Sequence, residues 1–189
     1  MDKTDEELIA DYLAGDESAF ATLVQRHLKS VYSFALRSAG REAEDIAQDT
    51  FLKAWKNLKR YDPASARFKT WLMRIARNTI IDYLRKSKPL VFSDLGGDRD
   101  DDFVPEVPDA EPLPDELAAR GEDARTVEEA LEKLPPPYRE VLLLRYMSQL
   151  SFEEIGDVLN ESPNTVRSRH RRGLARLREG IEALHRKQT

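Results

Sequence analysis

Between Ser162 and Arg178 stand six arginines (Arg167, Arg169, Arg171, Arg172, Arg176 and Arg178) and no acidic residue, in a chain of 189 residues with formal net charge −5. A guanidinium is a planar fork that pairs with phosphate and bonds guanine bidentately, so the chemistry on offer is nucleic-acid contact. The bland alternative is a solvated helix face, but such faces ordinarily mix signs. A second cationic stretch holds Arg67, Lys69, Arg74, Arg77, Arg85, Lys86 and Lys88, with Asp82 the only acid between Phe68 and Lys88. Tyr61, Phe68, Trp71 and Tyr83 are interleaved with it. Basic side chains that track phosphates, beside aromatic planes that stack on unpaired bases, are how single strands are held. Aromatics at helical spacing also serve as core, and that reading stays open for Trp71 and Tyr83. A third group, Asp45, Gln48, Asp49 and Leu52, recurs at i, i+3, i+4 and i+7; taken alone it is a polar flank with one exposed leucine.

The elements that must carry these groups are helical. Ser162-Pro163 is an N-cap followed by a good first helical residue. Val166, His170, Leu174, Leu177, Ile181 and Leu184 then follow at helical spacing, so a packed stripe runs under the basic face. Upstream, Ser151-Phe152-Glu153-Glu154 is a capping box that opens a shorter helix, with Ile155, Val158 and Leu159 turned inward and Asn160 as its stop. Two helices joined by a tight turn, the second basic, form the helix-turn-helix layout, in which early residues of the second helix reach base edges.

Towards the N-terminus, Phe20, Leu23, Val24, His27, Leu28, Val31, Tyr32 and Ala35 predict a helix that Gly40 ends. A second, from about Glu42 to Leu58, shows Ile46, Ala47, Thr50, Phe51, Ala54, Trp55 and Leu58. A third, from about Phe68 to Leu84, shows Phe68, Trp71, Leu72, Ile75, Ala76, Thr79, Ile80, Tyr83 and Leu84. Leu8, Ile9, Tyr12 and Leu13 predict a short helix before them. The turn from Arg60 to Arg67 is small and polar, of the kind that receives a flipped base or simply connects helices.

Charge divides the chain in three. Residues 1–90 hold 16 Lys/Arg and 13 Asp/Glu, residues 91–122 hold 2 and 11, and residues 123–189 hold 12 and 11. The expected fold is therefore all-α: two small helical domains, 1–90 and 123–189, joined by an acidic, Pro- and Gly-containing flexible linker, 91–122. Met1 to Glu7 lacks a basic start and an apolar core, and the longest aliphatic run, Val141 to Leu144, is far too short to span a bilayer. With no cysteine there is no disulfide and no thiolate metal site. His27, His170 and His185 are scattered, and the two on apolar stripes read as packing residues. A cytoplasmic protein without metal or cofactor is expected.

Taken together these strings resemble the extracytoplasmic-function class of bacterial sigma factors, the promoter-recognition subunits of RNA polymerase. Residues 45–55 (DIAQDTFLKAW) are similar to the polymerase-binding helix, and residues 68–78 (FKTWLMRIARN) to the promoter-melting helix. Residues 134–139 (LPPPYR), with 165–169 (TVRSR), are similar to the C-terminal domain. The resemblance implies that Asp45, Gln48, Asp49, Leu52 and Trp55 dock on core polymerase, on the β′ clamp helices, with the β subunit as a further partner. Relatives commonly have Glu at the place of Asp49. Arg67, Lys69, Trp71, Arg74, Arg77 and Asn78 would engage and open the minus-ten element, without nucleophile, metal or small-molecule substrate. Arg167, Ser168, Arg169, Arg171 and Arg172 would meet the minus-thirty-five element; relatives often carry an apolar or aromatic residue at the place of Arg171. An anti-sigma factor is the usual further partner, and the acidic linker would thread the polymerase's nucleic-acid channels. The rivals are an operator-binding helix-turn-helix regulator, which leaves residues 1–90 without purpose, and a metal-dependent nuclease, which lacks clustered carboxylates.

Overall fold

The computed structural model describes residues 3–87 and 124–188. Among these the chain is α-helical with no strand: α1 Asp5–Leu13, α2 Glu17–Ala39, α3 Ala43–Asn57, α4 Phe68–Ser87, α5 Ala124–Glu132, α6 Pro136–Tyr146, α7 Phe152–Leu159 and α8 Pro163–Gln188. Single 3₁₀ turns, Gly40–Glu42 and Leu58–Arg60, precede and follow α3. The all-α expectation is met. The acidic segment 91–122 lies outside the described residues.

Packing divides the described chain into two units, one formed by α1 to α4 together with residues 143–163, the other by α5, the first part of α6 and α8 from Asn164 onward. In the first unit α2 packs along α1, α3 and α4. Its core is Leu23, Val31, Phe34, Ile46, Ala54, Phe68, Leu72 and Met73, all at most 1% exposed. Truncation of Phe34 or Phe68 to alanine in such a setting typically costs about 3–5 kcal/mol. The chain enters α1 through a capping box: Thr4 Oγ1 accepts from the Glu7 amide at 3.2 Å, and the Glu7 carboxylate accepts from the Thr4 amide at 2.7 Å. Asp16 caps α2, and Gly40, at φ 66°, ends it in a conformation that glycine adopts freely.

Within the same unit residues 143–163 lie against α4, where Thr70 Oγ1 donates to Glu154 Oε1 at 3.3 Å and Ser148 Oγ lies 3.8 Å from Met73 Sδ. In the second unit helices approach closely across small residues. A Cβ on Gly173 would lie 3.3 Å from Tyr138 Cβ and 3.4 Å from the Leu142 side chain, and one on Gly180 would meet Ala130 at 3.5 Å. The Arg176 guanidinium stacks over the Tyr138 ring at 4.7 Å, a cation–π contact that also covers the ring.

Four side chains placed on apolar stripes by their spacing face solvent instead. Leu13 is 50%, Leu28 46%, Tyr32 40% and Trp55 47% exposed. Each stands at the edge of its helix stripe, and a helix packed on one side leaves that edge uncovered. α5 and α6 were not expected as separate helices.

Candidate nucleic-acid interface

Each of the three groups of candidate residues sits on one helix, except for Arg67, which immediately precedes α4. On α8 the packing face is Val166, His170, Gly173, Leu177, Ile181 and Leu184, all buried. Arg167 is exposed and Ser168, Arg169, Arg171 and Arg172 are half-buried, so the cationic side chains ring the stripe. Helical spacing explains this: positions 166, 170, 173, 177, 181 and 184 share a face, and the arginines fall between them. The turn that delivers α8 is tightly specified. Asn160 stops α7 in the left-handed conformation at φ 57°, and the Glu161 amide returns to the Gly156 carbonyl at 3.0 Å. A Cβ on Gly156 would lie 2.8 Å from the Glu161 carbonyl oxygen, so only glycine lets the backbone close there. At the start of α7, Ser151 Oγ accepts from the Glu154 amide at 3.1 Å and the Glu154 carboxylate accepts from the Ser151 amide at 2.8 Å.

On α4, Phe68, Leu72, Met73, Ala76 and Ile80 are buried, while Arg67, Arg74 and Asn78 are exposed and Lys69, Trp71 and Arg77 half-buried. Arg74, Arg77 and Asn78 line a groove of about 540 Å³ together with residues of the 156–161 segment. Arg67 stands 3.8 Å from Glu154 Oε1 with its side chain 83% exposed, a contact of little energetic weight. Burial pulls the Lys69 ammonium below its usual value. Trp71 is neither core nor free: its ring packs on Tyr61 at 5.4 Å and on Phe68 at 5.7 Å.

The turn before α4 is closed by Asp62, whose carboxylate accepts from the Ala64 amide at 3.0 Å and from Ser65 Oγ at 2.8 Å. Those two donors hold the Asp62 carboxyl below the ordinary carboxylate value.

On α3, Asp45, Gln48, Leu52 and Trp55 are exposed and Asp49 is half-buried. Two partners were not legible in the sequence. Asp49 Oδ2 accepts from the Tyr83 hydroxyl at 3.0 Å, which raises the Tyr83 pKa, and the Trp55 indole N–H donates to the Tyr12 hydroxyl. The apolar part of this face, Leu52 at 43% and Trp55 at 47% exposed, is of the kind that proteins present to partners.

Residues 23–89 match Sigma-70 region 2, and residues 124–177 match Sigma-70, region 4. Over 174 residues the chain is 36% identical to the ECF RNA polymerase sigma factor SigW of Bacillus subtilis (strain 168), covering 90% of this chain and 92% of that protein. Among solved structures it resembles CnrH, seen in complex with the cytosolic domain of CnrY, with TM-score 0.67 and 29% identity over 96% of this chain and 99% of that one. It also resembles the sigma factor RpoE of Bartonella quintana, seen with the anti-sigma factor NepR, with TM-score 0.65 and 26% identity over 86% of this chain and 96% of that one.

Proposed function

For a chain that belongs to the sigma-70 family, in its extracytoplasmic-function class, we propose the following division of labour: residues 1–90 bind core polymerase and open the minus-ten element, residues 123–189 read the minus-thirty-five element, and residues 91–122 tether the two. The protein is a promoter-recognising sigma factor of RNA polymerase, and sigma factors are initiation factors rather than enzymes. The observation that carries the division is the segregation of side chains on α3, α4 and α8, where each helix buries one stripe and presents a separate polar or cationic one.

On α3, Asp45, Gln48 and Asp49 offer hydrogen-bond acceptors around the apolar pair Leu52 and Trp55, a polar rim about a small anchor, which suits a protein partner. Core polymerase, at its β′ and β subunits, is that partner. On α4, Lys69, Arg74, Arg77 and Asn78 supply cations and an amide along one helix, with Arg67 just ahead of it and Trp71 and the preceding turn at its start. A duplex costs a few kcal/mol to open at each unstacked base, and binding to the exposed strand repays it without covalent chemistry. On α8, Arg167, Ser168, Arg171 and Arg172 contact bases or the adjacent phosphates, with Arg169 beside them. CnrH and the Bartonella RpoE each appear with a protein partner, and an anti-sigma factor is the corresponding restraint for this chain. Among the described residues no helix is long and apolar enough to cross a membrane. The compartment we assign is the cytoplasm, where template and polymerase meet.

The test is run-off transcription with core polymerase, the purified chain and a library of promoters. Start-site selection that depends on the chain is the expected outcome, and Asp49→Lys should reduce co-purification with core by tenfold or more through reversed charge at the docking face. Specific promoter binding by the chain alone, with no transcription when core is added, would return it to the operator-binding class.

A further inference from the structure

We propose that α1 is a brace for the turn ahead of α4, and that Tyr61 is the positioning residue that keeps this turn shaped to receive an unpaired base. The inference rests on the assignment of that turn to strand capture made above. It adds a role for α1 residues that lie outside all three candidate surfaces.

The Tyr61 hydroxyl donates to the Ala66 carbonyl oxygen at 3.0 Å, and so ties the two ends of the turn together. Its ring stands edge-on to Phe68 at 5.6 Å and 86°, and against Trp71 at 5.4 Å. Tyr61 therefore touches both the turn's far end and the aromatic start of α4. Two routes connect it to α1. Directly, Glu6 Oε1 lies 3.5 Å from the Tyr61 hydroxyl. Burial, followed by the Glu6 carboxylate, pushes the Tyr61 phenol up to about 12, so the hydroxyl keeps its proton and remains a donor.

Indirectly, Phe68 packs its ring edge-to-face on His27 at 5.4 Å, and His27 Nε2 meets Asp5 Oδ2 at 2.7 Å. The other Asp5 oxygen accepts from Arg26 at 2.6 Å, and Arg26 reaches on to the Lys3 carbonyl at 2.8 Å. Two of the three acids in α1's first turn, Asp5 and Glu6, are thus spent on groups that support the aromatic cluster, while the third, Glu7, caps α1 together with Thr4. A helix that needed attachment to α2 alone would gain it from the buried Leu8 and Ile9. The polar contacts at its first turn do something else: they fix the rotamers of His27 and Tyr61, between which Phe68 is held. A binding loop fixed in its bound shape loses less conformational freedom on capture, and affinity rises accordingly.

The experiment uses holoenzyme assembled from core polymerase and the full chain. The probe is a fluorescent single strand carrying the non-template minus-ten sequence of a promoter found by run-off transcription. Tyr61→Phe removes only the hydroxyl and keeps the ring; it should weaken strand binding about three- to tenfold, the range for one hydrogen bond. Asp5→Asn should act in the same direction, and Tyr61→Ala should cost more than Tyr61→Phe. Affinity for core should remain unchanged in all three. Strand binding by Tyr61→Phe and Asp5→Asn at the unmodified level would overturn the proposal. So would a loss matched by an equal loss of core affinity, which would mark a general folding defect. If the unmodified holoenzyme fails to bind the strand at all, the strand-capture assignment of the turn falls first, and the brace with it.

Discussion

At Asp5 burial alone would push the carboxyl up, but the donors His27 and Arg26 outweigh it and leave the group below the ordinary carboxylate value. A carboxyl with a lowered folded value binds fewer protons when folded than when unfolded. Its stabilising contribution is therefore complete above the unfolded value and lost as pH falls through the folded one. The melting temperatures of the unmodified chain and Asp5→Asn should differ most near neutral pH, and the gap should close below about pH 4. A gap that stays constant from pH 7 to pH 3 would show that the ion pairs add nothing. This is also the scale at which the sequence says least. Asp5 and His27 are 22 positions apart, and Asp49 and Tyr83 are 34 apart. No local pattern joins such pairs, because the fold brings them together. The arginines of α8, by contrast, could be read directly, since a one-signed face needs no partner to be recognised.

Among the elements, α7 and the start of α8 were legible almost to the residue because their signals are local in the chain: Ser151 and Glu154 form the capping box, Asn160 stops α7 and Pro163 opens α8. Ser151→Ala removes the acceptor for the Glu154 amide and should destabilise the chain by about 1 kcal/mol, seen as a lower urea midpoint at unchanged m-value. Amide exchange should rise first in the opening turn of α7; uniform exchange across α7 would contradict a capping role. α6 was harder to read. Pro135, Pro136 and Pro137 look like a breaker, yet α6 begins at Pro136, where a missing amide costs nothing in a first turn. Val141 to Leu144 are all at most 2% exposed, so the run has no polar face and hence no period to detect. Leu28, Tyr32 and Trp55 show the converse error: a period of 3.6 marks which side of a helix is apolar, not how wide a strip its neighbours cover.

For the whole molecule the governing quantity is where charge sits. Residues 91–122 concentrate negative charge while α4 and α8 carry cationic faces, so the free chain holds DNA-attracting and DNA-repelling parts within one polymer of net −5. Replacing Asp100, Asp101 and Asp102 with Asn removes three negative charges and should raise the free chain's affinity for non-specific duplex. The gain should be largest at about 10 mM salt, where screening reaches roughly 30 Å, and should vanish near 1 M, where it falls to about 3 Å. Fluorescence anisotropy would measure both; equal affinities at low salt would show that the segment stays electrostatically remote from bound DNA.

Gly173 and Gly180, pressed against Tyr138, Leu142 and Ala130, keep the structural duty of α8 on one side of its axis. Under the division of labour proposed above, substitution of the exposed Arg167 should then leave melting behaviour nearly untouched while altering which promoter bases are favoured. Evolution is free to retarget such a subunit to new gene sets by few-step changes, without first acquiring compensating stability.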